Sequence, residues 1–163
     1  MANAPALLSI DEYLRTSYHP DADYVDGKIA CRNVGKYEHG KVQGLIALSL
    51  SVGEEVWAID LLLAQRIRIG LARIRVCDVA VLHKDAPFER ITVTPPLICI
   101  EVLSTDDTLP GAVHVLSDYF LMGVPNIWLV DPIRRVAYIY NASGLQPAAS
   151  LALTVPVRQS AST

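Results

Sequence analysis

The segment Leu97-Ile98-Cys99-Ile100-Glu101-Val102-Leu103 constrains the fold most, because a single carboxylic acid interrupts an otherwise continuous apolar run. A run of this length without polar alternation reads as a central strand covered on both faces. Burying an ionised carboxylate without a partner costs several kcal/mol or shifts its pKa strongly, so Glu101 needs a partner. A divalent cation is one candidate. An arginine that pairs with Glu101 and holds the sheet together is the other, and the run alone leaves both open.

The strand before this run supplies a second acid. Strand-like segments at about 56–69 and 73–82 are divided by Gly70-Leu71, and the second alternates Ile74, Val76 and Asp78 with Arg73, Arg75 and Cys77. Asp78 and Glu101 are therefore expected side by side on neighbouring strands. Two such carboxylates, with a backbone carbonyl and waters, make an all-oxygen site suited to Mg²⁺ or Mn²⁺. An ion of that kind can hold a phosphodiester and lower the pKa of an attacking water.

The remaining elements follow from local signals. Ser9-Ile10-Asp11-Glu12 has the form of a capping box opening a short helix to about Arg15. Asp26-Gly27, between β-formers from Tyr24 to Ile29, predicts a tight hairpin. From Tyr37 to about Val52, apolar Val42, Leu45, Ile46 and Leu50 recur at helical spacing, with His39 and Gln43 one turn apart on a side that can face a cleft. A helix from about Ala112 to Met122 ends at Gly123, and strands follow at 126–130 and about 136–140, separated by Asp131-Pro132. This order predicts an α/β fold, a mixed sheet with helices packed against it.

With 163 residues and no internal repeat or linker, the chain is expected to form a single domain over 1–163, with its core at about 8–140 and a disordered tail at about 158–163. A net charge of −3 argues against a constitutive nucleic-acid binder, so any DNA contact is local or metal-assisted. Cys31, Cys77 and Cys99 are odd in number and lack CxxC spacing, which points away from a disulfide framework or zinc ribbon and towards a reducing cytoplasm. No basic leader or membrane-spanning run is expected. The apolar share of 52% makes a homodimer reasonable. No GxGxxG turn or P-loop supports a dinucleotide or nucleotide site.

Four arginines raise a separate expectation. A two-residue turn at Gly70-Leu71 would set Arg68 opposite Arg73 and Arg66 opposite Arg75, all on the face away from Asp78. Like charges in register ask for anions, either phosphates or acidic side chains of this chain or a dimer partner; a solvated arginine face is the alternative.

Several motifs together resemble a known family. Asp26-Gly27, Arg32-Asn33-Val34-Gly35, Glu38-His39-Gly40 and Arg75-Val76-Cys77-Asp78-Val79-Ala80-Val81 are followed by Pro95-Pro96-Leu97, Ile100-Glu101-Val102-Leu103-Ser104, Asp118-Tyr119, Gly123-Val124-Pro125 and Trp128-Leu129-Val130-Asp131-Pro132. In this order they resemble the Uma-two family, a branch of the PD-(D/E)XK restriction-endonuclease-like superfamily. The resemblance implies a restriction-endonuclease-like core and a divalent-metal-dependent endonuclease acting on DNA. Asp78 and Glu101 would hold Mg²⁺ or Mn²⁺, and His39 would touch a substrate phosphate or order the site.

The chain also departs from that pattern. The superfamily's lysine two residues after the glutamate is Leu103 here, and the helix position to which relatives move it is Val115. His114 lies one helical step away, about 100° round the axis. Lys28, Cys31 and Cys77 replace other residues usual in the family. Gln65 is a weaker site candidate, with a polar residue at a sheet edge as its alternative reading. Two functions are therefore in competition: an active endonuclease, and a catalytically degenerate relative kept for binding or dimerisation.

Overall fold

The computed structural model describes residues 6–151. The tail expected at 158–163 lies outside them. In chain order the elements are α1 (Ile10–Arg15), β1 (Asp23–Val25), β2 (Lys28–Ala30), α2 (Tyr37–Ser51), α3 (Glu54–Trp57), β3 (Ile59–Gly70), β4 (Arg73–His83), β5 (Ile98–Val102), α4 (Leu109–Met122), β6 (Asn126–Asp131), β7 (Val136–Asn141) and β8 (Gly144–Ala148).

Local chemistry explains where these elements begin and end. Ser9 Oγ accepts the Glu12 amide at 3.2 Å and starts α1. Asp26 and Gly27 both take positive φ, +50° and +84°, as a tight hairpin turn requires, and a Cβ on Gly27 would lie 2.9 Å from Leu7 Cβ. Helix α4 starts three residues earlier than expected because Thr108 Oγ1 caps the Gly111 amide and Pro110 sits in the first turn. At Ala58 a left-handed φ of +52° ends α3, so the strand expected from 56 starts at Ile59.

All eight strands form one mixed sheet in the order β2-β1-β4-β5-β6-β7-β8, with β3 also paired to β4. Strand β4 pairs antiparallel with β5, and β5 pairs parallel with β6 through the α4 crossover. Strand β5 is covered on both faces, as its apolar run requires. Cys99 packs with Cys77, Leu116 and Tyr119 on the α4 side, while Ile98 and Ile100 pack with Val79, Val81 and Trp128, against Ile46 and Leu50 of α2. On α2 the inward stripe is His39, Gln43, Ile46 and Leu50; Leu45, expected on that face, is exposed.

The β3–β4 register differs from the expected one. The turn falls on Leu71-Ala72, Gly70 pairs with Arg73, and an irregularity between Arg68 and Gly70 sets Arg68 opposite Ile74 and Arg66 opposite Val76. The arginines are therefore not stacked on one face. Arg73 and Arg75 reach Asp118 on α4, whereas Arg66 lies 4.4 Å over the Tyr13 ring of α1.

Candidate functional site

The site sits where the sheet divides. Strand β3 follows one edge of β4 along most of its length, but the other edge is shared end to end by β1, at Arg73 and Ile74, and β5, from Val79 to Val81. Between them residues 75–78 have no strand partner on that edge. Their backbone finds side chains instead: Asp23 Oδ1 accepts the Val76 amide at 2.8 Å, and Gln43 Nε2 donates to the Asp78 carbonyl at 2.9 Å. A cavity of about 280 Å³ opens here, lined among others by Arg32, His39, Asp78, Glu101, Asp107 and Val115.

Asp78 is 2% exposed, and both of its carboxylate oxygens are engaged. Oδ1 forms an ion pair with the Arg32 guanidinium. Oδ2 accepts the Val102 amide at 2.9 Å and lies 3.1 Å from His39 Nε2. The Val102 bond falls where the β4–β5 ladder ends, so this carboxylate closes the sheet as well as lining the cavity. Burial pushes the Asp78 carboxyl up, but the His39 hydrogen bond, the Arg32 charge and the Val102 amide outweigh it and hold the group below its usual range.

Glu101 is in the opposite condition. Its Oε1 accepts the Tyr119 hydroxyl at 2.5 Å. Burial, followed by the Asp78 charge, raises its carboxyl well above the usual range against the opposing influence of Arg32 and Tyr119. The cation expected beside the buried acids is thus present as an arginine, bonded to Asp78.

The other candidates separate clearly. His39 and Gln43, one turn apart on α2, grip the side chain and the carbonyl of the same residue, Asp78. Gln65 lies outside the cavity, where its Nε2 donates to the Arg90 carbonyl and Thr92 Oγ1, each at 3.1 Å, and ties β3 to the following loop. His114 is exposed on α4, and Val115 faces the cavity in its place. Leu103 is buried in the core on the α4 side.

Three of the four arginines of β3 and β4 find acids of the same chain, whereas Arg68 Nε donates to the Gly70 carbonyl at 3.3 Å. Arg66 forks onto Asp21 at 2.7 and 2.8 Å. Arg75 bridges Asp23 and Asp118 at 3.0 and 2.7 Å, and Arg73 joins Asp118 to Asp26 at 2.9 and 2.8 Å. Arg32 and Tyr119 carry roles at the site that sequence reasoning did not assign. The available signal was a buried acid pair in need of a donor.

A divalent ion is tested by this donor set. The oxygen types suit Mg²⁺ or Mn²⁺, but the Asp78 oxygens are taken by Arg32, His39 and Val102, and Glu101 Oε1 by Tyr119. Among the described residues no group of three His, Cys, Asp or Glu side chains is placed to hold a metal. As arranged, the centre does not fit a divalent ion.

Comparison with known proteins agrees with this architecture. A crystal structure described as a putative nuclease belonging to DUF820 from Anabaena variabilis superposes with a TM-score of 0.77 at 21% identity, covering 93% of this chain and 89% of that one. The likeness is one of fold, a mixed sheet flanked by helices. No curated protein matches the chain. The family profile Uma2, described as "Putative restriction endonuclease", matches residues 10–160, and the chain therefore belongs to the Uma2 family.

Proposed function

We propose that this protein is an endonuclease that hydrolyses phosphodiester bonds of DNA, with Asp78 and Glu101 as its centre. The observation that carries the reading is the carboxylate pair itself, set on β4 and β5 at a 280 Å³ cavity in a nuclease-like fold. Mg²⁺ or Mn²⁺ would be held by this pair once Asp78 is freed of Arg32, and would there polarise the phosphodiester and acidify a water. His39 orients Asp78 and Tyr119 orients Glu101, which makes both positioning residues. The test is nicking of supercoiled plasmid with either ion. Product is expected from the wild-type protein and not from Asp78→Asn or Glu101→Gln. A folded wild-type protein that leaves the plasmid intact with both ions would defeat the reading.

A second reading has its own observation. Leu103 and Val115 stand where a lysine would assist the water, and Arg32 occupies Asp78. These favour a degenerate relative that keeps the fold for binding or dimerisation, and intact plasmid is its expected result. In either case we place the protein in the cytoplasm as a single-domain homodimer. Exposed Leu45 and Leu48 on α2, Val52 just after it and Val56 on α3 support self-association, and light scattering should give about twice 17.8 kDa. A monomer mass would remove the dimer. Among the described residues no helix is long and apolar enough to cross a membrane.

A further inference from the structure

We propose that Arg32 is the resident cation of the acidic centre, and that a divalent ion enters only by displacing it. The inference rests on reading Asp78 and Glu101 as the ion-holding pair, but not on DNA being cut.

Arg32 is a cavity-lining guanidinium with its side chain 12% exposed, and its charge is balanced by Glu101, Asp78 and Asp23. A buried cation is tolerated only where an anion pairs with it, and the ionised Asp78 meets that condition. A guanidinium and a divalent ion cannot both occupy the Asp78 oxygen that Arg32 holds. Competition at one oxygen follows from the geometry.

The segment that carries Arg32 is suited to release it. Residues 31–36 join β2 to α2 without regular secondary structure. Their polar ties to the facing loop are Asn33 Nδ2 to Asp107 Oδ1 at 2.8 Å, Lys36 Nζ to Thr105 Oγ1 at 2.7 Å and Lys36 to Asp106 at 2.6 Å. These are exposed contacts, which contribute little individually. Gly35 has a φ of +89°, and a Cβ placed on it would meet no atom within 4 Å, so the chain turns there without packing. Arg32 is thus the buried end of a lightly fastened strap, and withdrawing it frees Asp78 Oδ1, the carboxylate oxygen it holds.

The test measures Mn²⁺ binding by electron paramagnetic resonance on the whole protein, with folding checked by circular dichroism. Arg32→Met keeps an unbranched side chain without charge. It should bind Mn²⁺ about 10- to 100-fold more tightly than wild type, the range expected for removing one close charge competitor. Adding Asp78→Asn should abolish the gain. Equal affinities in wild type and Arg32→Met, a gain that survives without Asp78, or no binding by folded Arg32→Met would each overturn the proposal. If Arg32→Met does not fold, the Arg32 Nε–H signal of the wild-type protein is followed by NMR during Mg²⁺ titration. Displacement moves that signal and speeds its hydrogen exchange; an unmoved signal overturns the proposal. Intact plasmid in the nicking assay bears on the endonuclease reading alone, whereas plasmid nicking with no Arg32 effect on Mn²⁺ affinity defeats this one alone.

Discussion

Asp78→Asn keeps the side-chain volume at the centre of the site and removes its charge. The carboxylate answers three donors at once: the Arg32 guanidinium, the Val102 amide and His39 Nε2. An asparagine can accept with one oxygen only, and its amide group would face donors. Removing one partner of a buried ion pair typically costs about 3–5 kcal/mol, most of it the penalty of the charge left behind. Loss of the Asp78 charge removes one cause that raises the Glu101 carboxyl, so Glu101 ionises more readily beside Arg32, which puts the expected loss near the lower end, at about 3 kcal/mol. For a chain of this size that corresponds to a fall in Tm of roughly 6–12 °C. Thermal and urea unfolding followed by circular dichroism at neutral pH would measure it. The double variant Arg32→Met/Asp78→Asn should be more stable than Asp78→Asn alone, because it no longer strands a guanidinium. A loss within about 0.5 kcal/mol for the single variant, the range of ordinary surface substitutions, would refute the claim that Asp78 holds this end of the sheet together.

Glu101 should give a pH dependence of the opposite sign to a salt-bridged acid. Its carboxyl is raised in the folded state, so its contribution to stability is present below the unfolded value of about 4.3 and is lost as pH rises through the folded value. Glu101→Gln should therefore gain on wild type in urea midpoint as pH increases, and parallel profiles would contradict the assignment. For Tyr119→Phe, removing the hydroxyl that bonds Oε1 should raise the Glu101 pKa further, since Tyr119 acts to lower it. Carboxyl carbon NMR reads that shift, and a fall in pKa would be inconsistent with the geometry.

Much of the fold is written in short-range pattern. The apolar run formed β5, Ile98–Val102, with both faces covered, Asp26-Gly27 became the hairpin turn, and His39 reached the cleft its spacing suggested, while Gln43 bonds the Asp78 carbonyl. What escaped depends on single backbone conformations or distant partners. A left-handed Ala58 moved the start of β3, and an irregularity between Arg68 and Gly70 changed which residues oppose the β3 arginines. Arg32 and Asp78 are 46 positions apart, and nothing local to Arg32-Asn33-Val34 announces that its guanidinium will be buried. Sequence reasoning identified both acids and the need for a cation, but not which cation the chain itself supplies.

The two carboxylates, equivalent in sequence terms as buried acids on adjacent strands, end in unequal states for a reason of charge balance. One guanidinium serves the pair, and it bonds Asp78, which also receives the Val102 amide and His39. Asp78 is held ionised. Glu101 then carries both its own burial and the repulsion of that fixed negative charge, with a phenol hydroxyl as its bonded donor, and its proton is held well above the usual carboxylate range. Environments that push two carboxyl groups apart in this way assign them different roles, one as a permanent acceptor and one able to carry a proton. In this chain the division follows from the donors gathered on Asp78: the His39 hydrogen bond, the Arg32 charge and the Val102 amide.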